Sequence, residues 1–319
     1  MNKDDLSNDI LDVYNDDRLS TPKDVTGSLV RGSSRGYIVI AQNNKEHDYL
    51  EMTYALALSL KATQKENAIC VCVDENTKSL IEDKHRKVFD YIVDIPWGDI
   101  DPDARWKIHN KWKYPHMTPF KETIILDSDM VFTTSVDHWW DYLSKKDIWA
   151  CTNVKTFRNE DVIDDFYRKK FTELELPNVY SNFTYFKESE LTFQFFKMVE
   201  LIMKHWNVYY DKFLKGVGQK WMSADVAFAL AIKLLDIEEE TCDYSIKDVP
   251  TFVHMKSKIQ NIPHNQIDND WTKSIPSEMS SDLSIRVGNY IQSLPFHYVE
   301  KEWMSADKIK ILEDAVNEK

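Results

Sequence analysis

Two carboxylates stand two residues apart at the end of an apolar run, Thr123-Ile-Ile-Leu-Asp127-Ser-Asp129-Met-Val-Phe132. A short continuous stretch of β-branched residues reads as a strand buried on both faces. The carboxyl end of such a strand is where open α/β sheets bind ligands. If the backbone stays extended, Asp127 and Asp129 point the same way and converge their oxygens on a hard cation that a phosphate-bearing ligand could share. The plainer alternative is a strand end closed by Asx turns.

The elements before this run can position such a site. Residues 1–36 are acidic, then rich in Ser, Thr, Pro and Gly, and read as a tail. Buried strands are expected at 37–41, 68–73 and 89–95, with helices over 48–61, 76–87 and 104–114 between them. This alternation predicts an α/β fold with a mainly parallel central sheet flanked by helices. Beyond the aspartates, a short helix (136–143) and strands at 148–154 and 178–186 follow. A long amphipathic helix covers 188–206. A further helix over 226–235 is opened by Ser223-Ala-Asp225 with Ser223 as N-cap, and a short strand ends in His254. From 261 onward, loop is expected, then a helix over 304–317. The division is therefore a tail (1–36), an α/β domain (37–260, in halves 37–132 and 133–260) and an extension (261–319) packed on it.

Composition narrows the chemistry. Of 319 residues only 7 are Gly, and neither G-x-G-x-x-G nor G-x-x-x-x-G-K-[ST] occurs. Phosphate must then be met by a metal, by Lys or Arg, or by helix N-termini. A net charge of −13 disfavours non-specific nucleic-acid binding, which draws its affinity from phosphate neutralisation. The basic stretches Lys107–Lys113 and Arg168-Lys-Lys170 leave a local cleft open. Four cysteines match no zinc ribbon, and Cys70 and Cys72 read as small core residues of one strand. Met1-Asn-Lys-Asp-Asp-Leu lacks the apolar stretch of a signal peptide, and no run approaches the ~18 apolar residues of a membrane span. A cytoplasmic setting is expected, the host's if the chain is phage-encoded, so the Asn182-Phe-Thr184 sequon is discounted.

In motif order over residues 37–256 the chain resembles the metal-dependent GT-A glycosyltransferases, closest to the glycogenin-like (family 8) branch. The resemblance implies transfer of a sugar from a nucleotide-diphosphate donor, UDP-linked by preference, with Mn²⁺ or Mg²⁺ held by Asp127 and Asp129. In those enzymes the divalent ion offsets charge growing on the leaving diphosphate. The third ligand implied is His254, with His297 in His297-Tyr-Val-Glu-Lys301-Glu-Trp303 as its rival. Lys256 or Lys258 would meet the diphosphate, and Lys111 would bind the donor. Ala41, Gln42 and Asn43, with Tyr49 nearby and Ser128 between the two aspartates, would cradle base and ribose. Asn178-Val-Tyr-Ser-Asn182 takes the place of the sugar-contacting segment, with Asn182 where the family has Gly. Asp225 matches the acid that touches sugar hydroxyls, although a carboxylate at a helix N-terminus also stabilises the helix dipole.

Retention of configuration is expected. The acceptor stays open among a glycan, a protein and a hydroxymethylated DNA base. Aromatic residues of the second half (Trp139, Trp140, Tyr167, Tyr180, Trp206, Tyr209, Tyr210, Trp221) suit stacking on rings and equally suit a core. A nucleotidyltransferase and a non-catalytic nucleotide-sugar-binding protein remain as alternatives. The first of these wants a triphosphate loop, of which Arg31-Gly-Ser-Ser-Arg-Gly36 is the nearest echo.

Overall fold

The computed structural model describes residues 34–99, 104, 107–162, 168–217, 220–244, 250–255 and 271–319. Lys256 and Lys258, Arg105, Tyr167 and nearly all of the expected tail lie outside the described residues.

Six strands form the central sheet: β1 (Arg35–Ala41), β2 (Ile69–Val73), β3 (Tyr91–Asp94), β4 (Glu122–Leu126), β6 (Ile148–Cys151) and β7 (Tyr180–Lys187). Their order is β3-β2-β1-β4-β7-β6. The first four run parallel, and β7 runs antiparallel to both β4 and β6. Alternate residues of β1 serve two cores. Tyr37, Val39 and Ala41 pack toward helix α1 (Tyr49–Thr63) and α4 (Ala306–Asn317). Ile38 packs with α2 (Glu190–Lys204) and α3 (Ala224–Leu235). Helices on both faces explain why these strands read as unbroken apolar runs. The mainly parallel α/β sheet expected from the sequence is the one observed.

Several boundaries moved for local reasons. The helix expected over 76–87 is two short ones, Glu75–Lys78 and Asp83–Val88, because each has its own acidic cap, Asp74 and Glu82. The helix expected over 104–114 is a 3₁₀ turn, Lys111–Lys113, and one α turn, Tyr114–Met117. Pro115 fits only the first turn of a helix. Lys111 and Lys113 are also buried and reach fixed partners, Asp127 for the first and the Pro96 and Gly98 carbonyls for the second. Ser223 does precede α3, but its side chain makes no capping bond.

The largest departure is near the C-terminus, where loop was expected. A meander of β9 (Ser277–Met279), β10 (Ile285–Val287) and β11 (Tyr290–Gln292) leads into β12 (Phe296–His297). β12 lies between β5 (Met130–Val131) and β8 (Val253–His254), antiparallel to the first and parallel to the second. Strands of two or three residues are too short for an alternating pattern to register.

Candidate active site

β4 ends at Leu126, buried on both faces, and the chain turns through Asp127-Ser-Asp129 into β5. The small sheet then decides which histidine meets the aspartates. His297 on β12 pairs with Met130, the residue after Asp129, whereas His254 pairs with His297 from the outer strand. Neighbouring strands lie ~4.8 Å apart, so His297 is one strand from the carboxylates and His254 is two.

The ligand-capable atoms of Asp127, Asp129 and His297 all fall within 4.8 Å of one another. His254, expected as the third ligand, stands outside this group. Its ring lies 4.9 Å from that of His297 and also contacts Tyr180 and Phe252.

Each carboxylate has a cation. Lys111 Nζ donates to Asp127 Oδ1 at 2.7 Å. Lys301 Nζ donates to Asp129 Oδ2, and His297 Nε2 is 3.1 Å from Asp129 Oδ1. Tyr298 N–H donates to the Asp129 carbonyl at 3.1 Å, which fixes the turn against β12. Asp129 is 6 % exposed. Desolvation pushes its carboxyl up, but His297 and Lys301 outweigh that and hold it well below the usual range. Desolvation likewise pulls Lys301 down, and Asp129 more than reverses it.

These groups line a cavity of about 150 Å³ together with Gln42, Tyr49, Lys107 and Ser128. That is smaller than the ~300–1,000 Å³ of drug-sized ligand pockets and suits one compact charged group. A larger cavity, about 440 Å³, opens between Leu174 and Leu176, Phe213 and α3, and has none of the clustered carboxylates.

The other expected residues divide. Gln42, Tyr49, Lys111 and Ser128 line the cavity; Ala41 and Asn43 do not. Asn43 instead ties the loop to α1, its Oδ1 accepting from Leu50 N and its Nδ2 donating to Asp48. Gln42 donates to Asp74 and Asp99 and accepts from Asn110, which orders the polar ends of β1 and β2.

Asp225, at the start of α3, accepts from Ser181 N at 2.9 Å and Ser181 Oγ at 2.7 Å, and pairs with Arg168 Nη1 at 2.6 Å. Desolvation raises its carboxyl, yet Arg168 and Ser181 together bring it below the ordinary value. Lys111 Nζ is 3.5 Å from Ser181 Oγ, so Asp225 and Asp127 belong to one polar chain. Asn182, one residue on, contacts His297 Nδ1 at 3.0 Å.

Three contributors were not assigned roles from the sequence: Lys301, Ser181 and Arg168. Lys301 stood in the segment His297–Trp303, and its place four residues past a histidine, across an irregular link from β12 to a 3₁₀ turn, is the signal that could have found it. Arg168 stood in a basic run that gave no hint of a buried partner. Its guanidinium is flanked by the Phe171 and Tyr180 rings at 3.9 and 4.0 Å, a packing that only the fold brings about.

Two carboxylates and an imidazole fit a divalent ion that accepts hard oxygen and borderline nitrogen ligands, as Mn²⁺ does. The fit requires Lys111 and Lys301 to give up their hold on the aspartates, and both side chains are long enough to turn toward an incoming anion.

No protein-family model matches the chain, and no curated protein matches it. Among solved structures, the chain is similar to mouse xyloside xylosyltransferase 1 in its apo form, with 12% identity and a TM-score of 0.43 over 66% of this chain and 84% of that one. It is also similar to core-mannan synthase A from Aspergillus fumigatus in its Mn/GDP form, with 11% identity and a TM-score of 0.37 over 70% and 77%. A third is 4-diphosphocytidyl-2C-methyl-D-erythritol synthase from Anaerococcus prevotii, with 12% identity and a TM-score of 0.32 over 73% and 91%.

Proposed function

We propose that the chain is a metal-dependent glycosyltransferase of the GT-A type, moving a sugar from a nucleotide-diphosphate donor to an acceptor hydroxyl. The observation that carries this reading is the Asp127–Asp129–His297 group at the carboxyl end of β4, flanked by two lysines and opening on a cavity of about 150 Å³. Asp127, Asp129 and His297 would hold the ion, Mn²⁺ or Mg²⁺. When bound, the ion supplies charge stabilisation to the departing diphosphate.

Lys111 and Lys301 are the groups freed from the carboxylates, and each would turn to donate to a phosphate oxygen. Two carboxylates face the two ammonium groups that pair with them, and Lys107, which also lines the cavity, pairs with Asp99, so the cavity charge is balanced. A divalent cation alone would unbalance it, whereas cation and diphosphate together would not. Metal and donor are therefore expected to bind as a pair. Gln42 and Tyr49, on the β1 side of the cavity, are assigned to the base and ribose. Asp225 and Asn182 are assigned to the sugar side. Lys256 keeps the diphosphate role expected for it, as a proposal. The donor is taken as a UDP-sugar, the outcome as retention, and the acceptor as a glycan, a protein or a hydroxymethylated DNA base.

A thermal-shift screen of nucleotide-sugars with and without Mn²⁺ tests this, since a ligand raises stability by RT ln(1 + [L]/Kd). One nucleotide-sugar should raise the melting temperature only with Mn²⁺ present. EDTA, Asp127→Asn and Asp129→Asn should each abolish the rise and the transfer. A rise with a nucleoside triphosphate and with no nucleotide-sugar overturns the reading in favour of nucleotidyl transfer.

A further inference from the structure

Asp225 is tied to the chain through both of its carboxylate oxygens. Against the desolvation that raises it, Arg168 and Ser181 hold its carboxyl below the ordinary value. The group is therefore ionised at neutral pH and only accepts hydrogen bonds, at about four lone-pair sites on its two oxygens. Oδ1 takes two donors from one residue, Ser181 N at 2.9 Å and Ser181 Oγ at 2.7 Å. Oδ2 takes one, Arg168 Nη1 at 2.6 Å. No other described residue donates to it. One site is left open, on Oδ2, and the side chain is 27 % exposed, so a ligand can reach it.

The guanidinium on Oδ2 is itself held in one plane. Arg168 Nε donates to Asn178 Oδ1 at 2.7 Å, and Nη2 donates to the Val179 carbonyl. Its central carbon lies 3.9 and 4.0 Å from the Phe171 and Tyr180 ring centroids, and the side chain is 11 % exposed. Asn178, Val179 and Ser181 all belong to the entry of β7. One short stretch of chain thus fixes both oxygens of Asp225, directly through Ser181 and indirectly through Arg168. That stretch adjoins the cavity, since Ser181 Oγ is 3.5 Å from Nζ of Lys111, a lining residue. We propose that Arg168 is a positioning residue that aims Asp225 and leaves it a single open acceptor site, through which the donor sugar is read at one hydroxyl. This rests on the nucleotide-sugar reading above. Lysine at position 168 would keep the charge, but a point charge cannot serve three acceptors in one plane.

The experiment uses the full chain with Mn²⁺ present and reads binding by calorimetry, with the melting temperature of each variant recorded. UDP-glucose, UDP-galactose, UDP-xylose and UDP-N-acetylglucosamine are titrated into the wild type. The tightest of the four is then compared with its own deoxy analogues, one for each sugar hydroxyl. The ratio of Kd between a deoxy analogue and its parent is the penalty for losing that hydroxyl. A general loss of stability or of donor affinity cancels in this ratio, so a merely structural role for Arg168 would not move it. The penalties are measured again in Arg168→Lys, in Asp225→Asn and in Asn178→Ala, which leaves the ion pair and frees the guanidinium at Nε.

In the wild type, the hydroxyl on Asp225 should carry a penalty of about 10- to 100-fold, the scale of one hydrogen bond to a charged group. Arg168→Lys and Asp225→Asn should both reduce the penalty at that same hydroxyl and leave those at the others within about twofold. Asn178→Ala should act at the same hydroxyl to a smaller degree, which keeps the proposal testable if Arg168→Lys does not fold. Weaker binding with an unchanged pattern of penalties makes Arg168 structural only and overturns the proposal. So does a change at two hydroxyls, or at different hydroxyls in the Arg168 and Asp225 variants. A wild type that binds none of the four donors overturns the nucleotide-sugar reading, and the proposal falls with it.

Discussion

Lys301 pairs with Asp129, the carboxylate a divalent cation would share, and replacing it has an expected effect of unusual sign. Its ammonium lies on Asp129 Oδ2, with side-chain exposures of 13 % and 8 % for the pair. Lys301→Met removes the charge and keeps most of the stem volume. Two unit charges ~4 Å apart at an effective dielectric of about 20 interact by about 4 kcal/mol. The mobility of a long side chain and the residual solvent leave a fraction of that between ammonium and cation. A fraction near a third is about 1.4 kcal/mol, or tenfold in Kd. Lys301→Met should therefore bind Mn²⁺ alone about tenfold more tightly than wild type.

In metal-free buffer the same variant should be less stable. Breaking a buried ion pair costs up to about 3–5 kcal/mol, reduced here because His297 still faces Asp129. With pyrophosphate present the order should invert, since the variant lacks one of the two ammonium groups assigned to the phosphates. Sugar transfer should then fall about 100-fold, the usual scale for losing one preorganised charge contact. The assays are calorimetric Mn²⁺ titration without and with pyrophosphate, and melting without metal. If Lys301→Met binds bare Mn²⁺ no more tightly than wild type, ammonium and cation do not compete for Asp129 and the reasoning fails.

Two further outcomes follow from the same geometry. His297→Ala should weaken Mn²⁺–pyrophosphate binding about 100-fold, while His254→Ala, one strand further out, should weaken it less than about tenfold; the reverse ranking by titration would return the ligand role to His254. Asp225 has a carboxyl held below its ordinary value, with burial opposing and Arg168 and Ser181 prevailing. Its stabilising contribution is thus complete above the unfolded value of about 3.9 and is lost as pH falls through the folded one. Asp225→Asn should lower urea stability at pH 7 by about 2 kcal/mol and give a shallower decline as pH falls below about 4; an acid limb parallel to wild type would contradict this assignment.

Much of the fold was legible because its strands are long enough and buried on both faces. Unbroken apolar runs at Tyr37–Ala41, Ala68–Val73 and Thr123–Leu126 identify such strands without any partner in view. Alternation with helices then leaves few topologies. The segment 277–297 was not legible, since strands of two or three residues carry no period. The Lys111 region was misread for a different reason: a basic, aromatic stretch has the composition of an exposed helix, yet its lysines are buried against a carboxylate and two carbonyls. Tertiary partners overrode local preference there.

The sequence by itself determined that Asp127 and Asp129 end a buried strand, that phosphate would have to be met by charge and not by a glycine loop, and that Asp225 begins a helix. These are local properties, set by residue type and by spacing along one element. Only the tertiary structure decided that the histidine beside those carboxylates is His297 and not His254, because both end short apolar runs and the choice depends on the order β5-β12-β8. It also decided that Lys301 and Asn182 close on Asp129 and His297 from opposite sides, contacts that link residues 172 and 115 positions apart. Proximity over such separations is created by strand pairing and cannot be read along the chain.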